Sequence, residues 1–273
     1  MNADINPSSR QRYPVQLVGA GPGDPELLTV RAARVIAGAD VILADDLVDD
    51  RVIGLARADA RIIRVGKRGG CRSTPQAFIQ RLMVRCARTG ARVVRLKGGD
   101  PLVFGRAGEE IAWLNAHGIA CELVSGLTSG LAAAQALGAS LTHRELAHGV
   151  AFVTGHPAPG SPEVDWASLA RSGLTLVIYM GVARAGAIRQ ALIAGGMSAS
   201  TPAAVVQSAG APGERVMRAP LSDLVEAMIA YGFGSPAILL IGSALADAAR
   251  HTPLSSDAFD QAFGSTKAHG ATI

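Results

Sequence analysis

Three glycine-rich turns come directly after short apolar runs that are typical of β-strands. Gly19–Pro25 (GAGPGDP) follows VQLVG, Lys97–Pro101 (KGGDP) ends RVVRLK, and Val65–Gly70 (VGKRGG) ends RIIRV. Glycine allows a backbone to approach a ligand closely, and ligands bind beyond the carboxyl ends of strands in open α/β sheets. The turns therefore indicate a small-molecule site, with Asp100 able to accept from a hydroxyl or ammonium group and Lys67 able to grip a carboxylate. The alternative for each is a tight turn or a solvated loop that binds nothing.

The first turn also fits part of the dinucleotide-binding fingerprint, and Asp40 lies near the distance expected for a ribose-binding acid. Two features of the turn argue against a dinucleotide. Pro22 and Pro25 lack the amide hydrogens that would bind a pyrophosphate, and Asp24 stands where the fingerprint has its third glycine. A nicotinamide-dependent oxidoreductase is therefore kept as an alternative from a different enzyme class.

The middle of the chain is strongly basic. Between Arg61 and Arg106 twelve arginine and lysine residues stand against one acidic residue, Asp100, although the whole chain carries a net charge of only +4. Such a stretch favours an anionic partner, which could be a phosphate, a nucleic acid or a polycarboxylate. Much of it could also be the solvated surface of helices and strands. Aromatic residues make up 4% of the chain, so base stacking is poorly served and we expect no nucleic-acid partner.

Composition places the chain among globular proteins of about two domains. Its 273 residues are 49% hydrophobic and 18% charged, which excludes a disordered chain. The three cysteines, Cys71, Cys86 and Cys121, form no CxxC pair, so we expect neither a disulfide framework nor a metal site. No apolar run approaches the roughly 18 residues of a membrane span, and the first residues lack a secretory signal. We therefore expect a cytoplasmic protein with no membrane partner.

Short β-branched runs alternate with helical patterns along the chain. The predicted strands are 15–19, 41–44, 61–65, 92–97, 120–124, 150–154, 174–180, 202–208 and 236–242. Thr29 is placed to cap a helix that ends at Gly38, and Pro75 is typical of a first helical residue. Strands that alternate with helices predict an α/β fold with largely parallel pairing.

A change in character near CELVSGLTSG divides the chain in two. We predict an N-terminal α/β domain at 14–124, a C-terminal α/β domain at 125–250, and flexible tails at 1–13 and 251–273. Two such domains leave a ligand cleft between them, which is a usual place for a binding site. The small residues of Ser125–Gly130 would allow a helix to begin close to that ligand.

Several segments occur in an order that marks a known family. GAGPGDPELLT, VGKRGG, RLKGGDPLVFGR, LTHRE, VTGH and YMG follow one another between about residues 15 and 245. With this series the chain resembles the tetrapyrrole methylase family, and RLKGGDPLVFGR together with VGKR resembles its uroporphyrinogen-III branch. The resemblance implies two α/β domains in a homodimer, with S-adenosylmethionine bound in the cleft between the domains and no metal ion.

The resemblance also implies roles for individual residues. It implies that the methyl donor is bound by Pro22, Gly98, Gly99, Asp100, Val103, Thr128, Ser129, Met180, Ala209 and Ala237. Asp45 and Lys67 match the family's proposed active-site acid and lysine, while Arg106 and Arg144 match substrate-binding arginines. The match of Arg106 is also implicated as a proton acceptor, but an arginine, with a pKa above about 12, is a poor base. We therefore favour Arg106 as an anchor and Asp45 as the acid–base residue.

The implied reaction adds methyl groups at C2 and C7 of uroporphyrinogen III, which gives precorrin-2 by way of precorrin-1. The eight carboxylates of that substrate would give the basic stretch a purpose, because a guanidinium pairs a carboxylate at two points. The product would serve the formation of sirohaem, cobalamin or haem d1. Another precorrin methyltransferase of the same family is the nearest alternative.

Overall fold

Two β-sheets organise the part of the chain that the computed structural model describes, which is residues 13–66, 74–158 and 160–246. The strands of the first sheet are β1 (Val15–Gly19), β2 (Val41–Ala44), β3 (Arg61–Arg64), β4 (Val93–Lys97) and β5 (Cys121–Val124). Those of the second are β6 (Val150–Thr154), β7 (Thr175–Tyr179), β8 (Pro202–Gln207), β9 (Arg215–Pro220) and β10 (Ala237–Ile241). The helices are α1 (Val30–Ala37), α2 (Asp50–Ile53), α3 (Gln76–Arg88), α4 (Ala107–Ala116), α5 (Ser129–Leu137), α6 (Trp166–Arg171), α7 (Ala185–Ala194) and α8 (Leu224–Ala230). The predicted α/β fold is confirmed.

The first sheet has the strand order β3-β2-β4-β1-β5, and its strand pairs are parallel. Its strands are rich in apolar residues because helices cover both faces. Leu17 and Met83 share the core beneath α3 and α4, whereas Val18 and Ile36 share the core beneath α1 and α2. Burying each such side chain contributes roughly 1.5–3 kcal/mol. The alternating faces of β1 therefore fix the register in which its carboxyl end meets the neighbouring strands.

The second sheet corrects the expectation of largely parallel pairing. Its order is β6-β7-β10-β8-β9, and among its described pairs only β6 and β7 run parallel. Strand β10 pairs antiparallel with both β7 and β8, and β8 pairs antiparallel with β9. The short connection 208–214 between β8 and β9 permits a hairpin, since a parallel pair needs a crossover of about a dozen residues or more. Strand β9 has no counterpart among the predicted strands.

The residues predicted to begin and end helices lie at or next to the observed helix ends. The Thr29 hydroxyl accepts from the amide of Ala32 at 3.1 Å, and Gly38 is the C-cap of α1, as predicted. Pro75 is the N-cap of α3, one position before the first helical residue. The nine predicted strands agree with the observed ones to within one residue at each end.

The chain passes from the first sheet to the second between β5 and α5. Leu137 of α5 shares one core with Leu240 of β10, so this helix packs on the second sheet. The limits 14–124 and 125–250 stay a prediction, and the predicted tails lie outside the described residues except for Tyr13. Within the described ranges no helix is long and apolar enough to cross a membrane, and no group of three or more side chains is arranged to hold a metal ion.

Candidate active site

Three loops meet at the carboxyl edge of the first sheet. The parallel register pairs Gly19 of β1 with Lys97 of β4, and β5 ends beside them, so the turns that follow these strands start side by side. The amide of Gly99 donates to the carbonyl of Gly21 at 2.7 Å, and the amide of Gly21 donates to the carbonyl of Gly99 at 3.2 Å. Two of the glycine turns seen in the sequence therefore form one hydrogen-bonded unit.

Glycine is required where the three loops touch. A Cβ at Gly126 would lie 2.3 Å from the carbonyl oxygen of Gly99, and one at Gly19 would lie 2.5 Å from the amide nitrogen of Gly126. These neighbours are backbone atoms, which cannot rotate away as the end of a side chain does. Close contact thus explains Gly19 and Gly126, whereas Gly99 is also needed for its left-handed φ of 67°.

Asp100 joins the loops to one another. Its Oδ1 accepts from the amide of Leu102 at 2.8 Å, and its Oδ2 accepts from the amide of Gly126 at 3.1 Å. Hydrogen bonds to a charged acceptor contribute about 1.5–3 kcal/mol each, so Asp100 stabilises the arrangement of the turns. Each oxygen retains a further acceptor position, which leaves room for the ligand contact predicted from the sequence.

A cavity of about 690 Å³ opens at this edge and reaches the second sheet. The ten residues that the resemblance implies for the methyl donor all line it, and so does Asp45. The second half of the chain adds small and apolar residues, namely Val206, Ala209, Ala211, Ala237 and Ile238. Ligand pockets commonly measure about 300–1,000 Å³, so this cavity can enclose a small molecule.

Tyr179 borders the cavity from the second sheet, and the sequence analysis gives it no role although it is the first residue of the YMG segment. Its hydroxyl lies 2.7 Å from Thr128 Oγ1 and accepts from the amide of Gly130 at 2.9 Å, which ties β7 to the start of α5. The ring packs against Phe104 with a centroid distance of 4.9 Å. Burial raises the pKa of the Tyr179 phenol, so the group stays protonated and can donate. Its signal in the sequence is its position directly before Met180 at the end of a strand.

Backbone strain accompanies the cavity. Phe104, Met180 and Ser208 line it with φ values of 53°, 54° and 52°, and Arg106 lies close by in sequence with a φ of 57°. A left-handed conformation costs a non-glycine residue roughly 1–2 kcal/mol, which the surrounding packing has to offset. These four are the non-glycine residues with positive φ in the described part of the chain. Strain is therefore concentrated where a ligand would bind.

Four charged side chains form a mostly buried group at the cavity wall. Asp45 follows β2, and its Oδ1 accepts from Arg95 Nη2 at 2.5 Å while its Oδ2 lies 3.6 Å from Lys97 Nζ. The buried Glu110 of α4 lies 3.1 Å from Arg95 Nε and 3.3 Å from Lys97 Nζ. Lys97 also lines the cavity, and burial lowers the pKa of its ammonium group. The sequence motifs assign no role to Arg95, Lys97 or Glu110.

Two predicted site residues are not brought into the cavity wall, and a third lies outside the described residues. Arg106 is exposed just after a cavity-lining segment, and its guanidinium donates to both oxygens of Glu109 at 2.7 and 2.8 Å. That pairing raises the pKa of Arg106. Arg144 is exposed within a turn. Lys67 lies outside the described residues and follows Gly66, which lines the cavity.

Within the described residues, the arginines of the basic stretch do not line this cavity. Arg64 pairs with Asp50 on the surface, and Arg95 is buried. Three further arginines line a separate groove of about 340 Å³ between α3 and the end of α4, namely Arg81, Arg85 and Arg88. Among the described residues of the stretch, Lys97 is the one cation that lines the cavity. Lys67, Arg68 and Arg72 of the stretch lie outside the described residues, so its contribution to the substrate site stays a prediction.

Asp40, the acid expected to bind ribose in a dinucleotide site, is instead paired with two arginines. Its carboxylate accepts from the amide of Arg92 at 2.7 Å and from Arg92 Nη2 and Arg57 Nη1 at 2.9 Å each. The hydrogen bonds from Arg92 lower the pKa of Asp40. Asp40 is absent from the described wall of the cavity. The acid that the nicotinamide alternative predicted for ribose binding therefore does not lie at this site.

Comparison with known proteins identifies relatives along most of the chain. Residues 14–225 match the sequence profile of the Tetrapyrrole (Corrin/Porphyrin) Methylases. A uroporphyrinogen-III C-methyltransferase from Pseudomonas aeruginosa is 54% identical over 233 residues, which cover 85% of this chain and 94% of that protein. A siroheme synthase from Chromobacterium violaceum is 49% identical over 228 residues, which cover 84% of this chain and 48% of that protein. The chain thus spans about half the length of the latter relative.

A solved structure supports the same assignment. A uroporphyrin-III C-methyl transferase from Thermus thermophilus, complexed with S-adenyl homocysteine, matches with a TM-score of 0.73 and 43% identity over 85% of this chain and 99% of that one. The fold is that of a methyltransferase. The chain belongs to the tetrapyrrole methylase family. The family predicted from the motifs is therefore confirmed.

Proposed function

We propose that this chain transfers methyl groups from S-adenosylmethionine to C2 and C7 of uroporphyrinogen III, giving precorrin-2 by way of precorrin-1. The observation that carries the proposal is the 54% identity to the Pseudomonas aeruginosa enzyme over 94% of that protein. The product would serve the formation of sirohaem, cobalamin or haem d1. We also propose that the chain acts as a homodimer in the cytoplasm, without a nucleic-acid or membrane partner.

The residues around the cavity fit S-adenosylmethionine as the donor. Val103 and Ala237 offer apolar contact to an adenine ring, and the glycine turns present backbone without side chains in the way. The donor's sulfonium and ammonium groups are both positively charged. Four aspartates line the same cavity, namely Asp45, Asp46, Asp49 and Asp100. An acidic wall attracts the cationic part of the donor.

The main contribution of the protein to methyl transfer is to position the two reacting groups. S-adenosylmethionine, when bound, supplies a methyl group on a positively charged sulfur. The chain has to hold a pyrrole carbon in line with that methyl group, and such positioning is worth up to about 7–11 kcal/mol in favourable systems. The contact between the three glycine loops provides a rigid wall for this purpose, and the Tyr179 hydroxyl fixes the facing element through Thr128. The methylated ring must then lose a proton, and we assign Asp45 to accept it.

The substrate carboxylates are expected outside the acidic cavity. We assign Arg106 and Arg144 to this surface, and we keep Lys67 as the predicted active-site lysine. The Arg106 side chain is 56% exposed and presents two donors, which Glu109 occupies. An exposed ion pair contributes less than about 1 kcal/mol, so a substrate carboxylate can replace Glu109 at the same two donors. Arg106 would thereby anchor the macrocycle over the cavity mouth.

The proposal is tested with the purified chain, uroporphyrinogen III and S-adenosylmethionine labelled in its methyl group, under anaerobic conditions. We expect two labelled methyl groups per tetrapyrrole, located at C2 and C7 by NMR. Methylation at other positions, or only of a precorrin substrate, would identify another precorrin methyltransferase. A chain that methylates no tetrapyrrole would overturn the proposal.

A further inference from the structure

We infer that Arg95, Lys97 and Glu110 are positioning residues that hold Asp45 as an ionised base and return it to that state between the two methyl transfers. The inference rests on the proposed function and adds to it a way in which Asp45 loses its proton again between the two transfers. The four side chains, called the charged quartet below, come from the segment after β2, from β4 and from α4.

The charged quartet lies at a depth where an unbalanced charge is strongly unfavourable. The side chains of Glu110, Arg95 and Lys97 are 0%, 2% and 5% exposed. Asp45, at 29%, is the most exposed member, and like Lys97 it lines the cavity. Two carboxylates and two cations cancel one another, and removing one partner of a buried ion pair leaves an uncompensated charge. The contacts therefore pair each carboxylate of the quartet with both of its cations before the reaction.

The contacts within the charged quartet also fix the direction of the Asp45 carboxylate. Arg95 holds one of its oxygens and Lys97 lies beside the other. Glu110 is held in turn, because Gln76 Nε2 donates to its Oε1 at 2.9 Å. Its Oε2 has no hydrogen bond among the described residues and contacts Lys97 Nζ at 3.3 Å. Lys97 is thus shared between two carboxylates, one of which lies at the cavity.

The proton balance gives the charged quartet its role. Methyl transfer forms a carbon–carbon bond to the ring while the sulfur keeps the electron pair of its broken bond. The cationic ring then loses a proton: a C–H bond breaks, its electrons return to the ring, and an O–H bond forms at Asp45. The charged quartet now carries one positive charge in excess. Release of that proton from Asp45 to solvent through the cavity removes the excess and restores the carboxylate for the second transfer.

Several other ionisable groups lie near the charged quartet. Those that interact with the charged quartet are Cys121 on β5 and Arg106 and Glu109 at the start of α4, and Asp46 after β2 lines the same cavity. Burial raises the pKa of Cys121 to about 11, so its thiol stays neutral. In the chain without substrate, the hydrogen bonds from Arg106 lower the pKa of Glu109. From α3, Gln76 and Gln80 are neutral at every pH.

The test changes the charge of the quartet in both directions. Lys97→Met removes a cation, Glu110→Gln removes an anion, and the double variant restores the balance. Arg85→Met removes an exposed cation from α3 and is the matched control. The rate of methyl transfer at saturating substrates is measured across pH for each variant. The melting temperature and the affinity for S-adenosylhomocysteine are measured alongside, as checks that the donor site is intact.

The two single variants are expected to move the acidic limb of the pH–rate profile in opposite directions. Lys97→Met moves it up by about one pH unit or more, because an opposite charge within about 4–6 Å commonly shifts a carboxyl group's titration by 1–3 units. Glu110→Gln moves it down, the double variant returns it towards the native position, and Arg85→Met leaves it in place. A purely structural role would instead lower the rate at every pH without moving the limb.

The failures of the two proposals can be told apart. An active native chain whose acidic limb stays in place in both single variants overturns the inference and leaves the proposed function standing. A native chain without methyl transfer overturns both. If Glu110→Gln does not fold, Lys97→Met is compared with Lys97→Arg, which keeps the charge. The inference then requires a shift in Lys97→Met and none in Lys97→Arg.

Discussion

Gly126→Ala tests whether the contact between the three glycine loops builds the donor site. The new Cβ would lie 2.3 Å from the carbonyl oxygen of Gly99, so the loops would have to separate by ~1 Å to reach ordinary contact. Overpacking of this kind costs about 1–3 kcal/mol, and a weakened bond from Gly126 to Asp100 adds about 1.5–3 kcal/mol at most. For a chain of this size the melting temperature should fall by about 5–20 °C.

The assay combines thermal unfolding with calorimetric titration of S-adenosylhomocysteine. We expect Gly126→Ala to lose both stability and donor affinity, because the same movement displaces the turn that carries Asp100. Gly108→Ala is the matched control: a Cβ there meets nothing within 4 Å, and alanine favours the helix by up to about 1 kcal/mol. If Gly126→Ala melted with the native chain and bound the ligand as tightly, the reasoning about this contact would be refuted.

Three further predictions concern other parts of the molecule. Tyr179→Phe keeps the ring but leaves two buried polar partners of the hydroxyl unpaired, which should lower stability by about 1–3 kcal/mol in thermal unfolding. The same change at the exposed Tyr231 is the control and should have no effect. Equal losses of stability at both positions would contradict the role given to the Tyr179 hydroxyl. Arg106→Ala should weaken tetrapyrrole binding by about ten- to a hundredfold, while donor affinity, measured by calorimetry, stays unchanged. Arg85→Ala is the control variant. A loss of donor affinity with unchanged tetrapyrrole binding would exclude the anchor role of Arg106. Hydrogen bonds from an arginine lower the pKa of Asp40, so the native chain's advantage over Asp40→Asn should be present at neutral pH and disappear as the pH falls through that lowered pKa. Denaturant unfolding at several pH values measures this difference, and an advantage that persists in acid would count against it.

The strands were predictable because most of them are buried runs of β-branched and apolar residues. Strand β9 was not, because RVMRAP exposes Arg215 and Arg218 at the edge of its sheet and forms no apolar run. The antiparallel pairing in the second sheet could also not be predicted from the sequence. It follows from the insertion of β10 between β7 and β8, a contact between distant segments that no local pattern encodes.

The residues of the proposed donor site followed from motifs, whereas the buried charges did not follow from the number of arginines. A signal for them was present in the periodicities. Arg95 and Lys97 are two residues apart and therefore share one face of β4. Glu110 lies three residues after Ala107 and four before Leu114, on the buried face of α4. Charges at positions that must face a core need partners, so these three could have been matched before the structure was known.

The left-handed residues around the cavity limit how far this enzyme can be made heat-resistant. Phe104, Met180 and Ser208 hold conformations that asparagine or glycine adopts more easily, so replacing them would relieve the backbone. The same replacements would remove the side chains that shape the ligand's surroundings. At these three positions a substitution that raises thermal stability is therefore expected to lower turnover. A more thermostable variant would have to gain its stability from substitutions on helix surfaces far from the cavity.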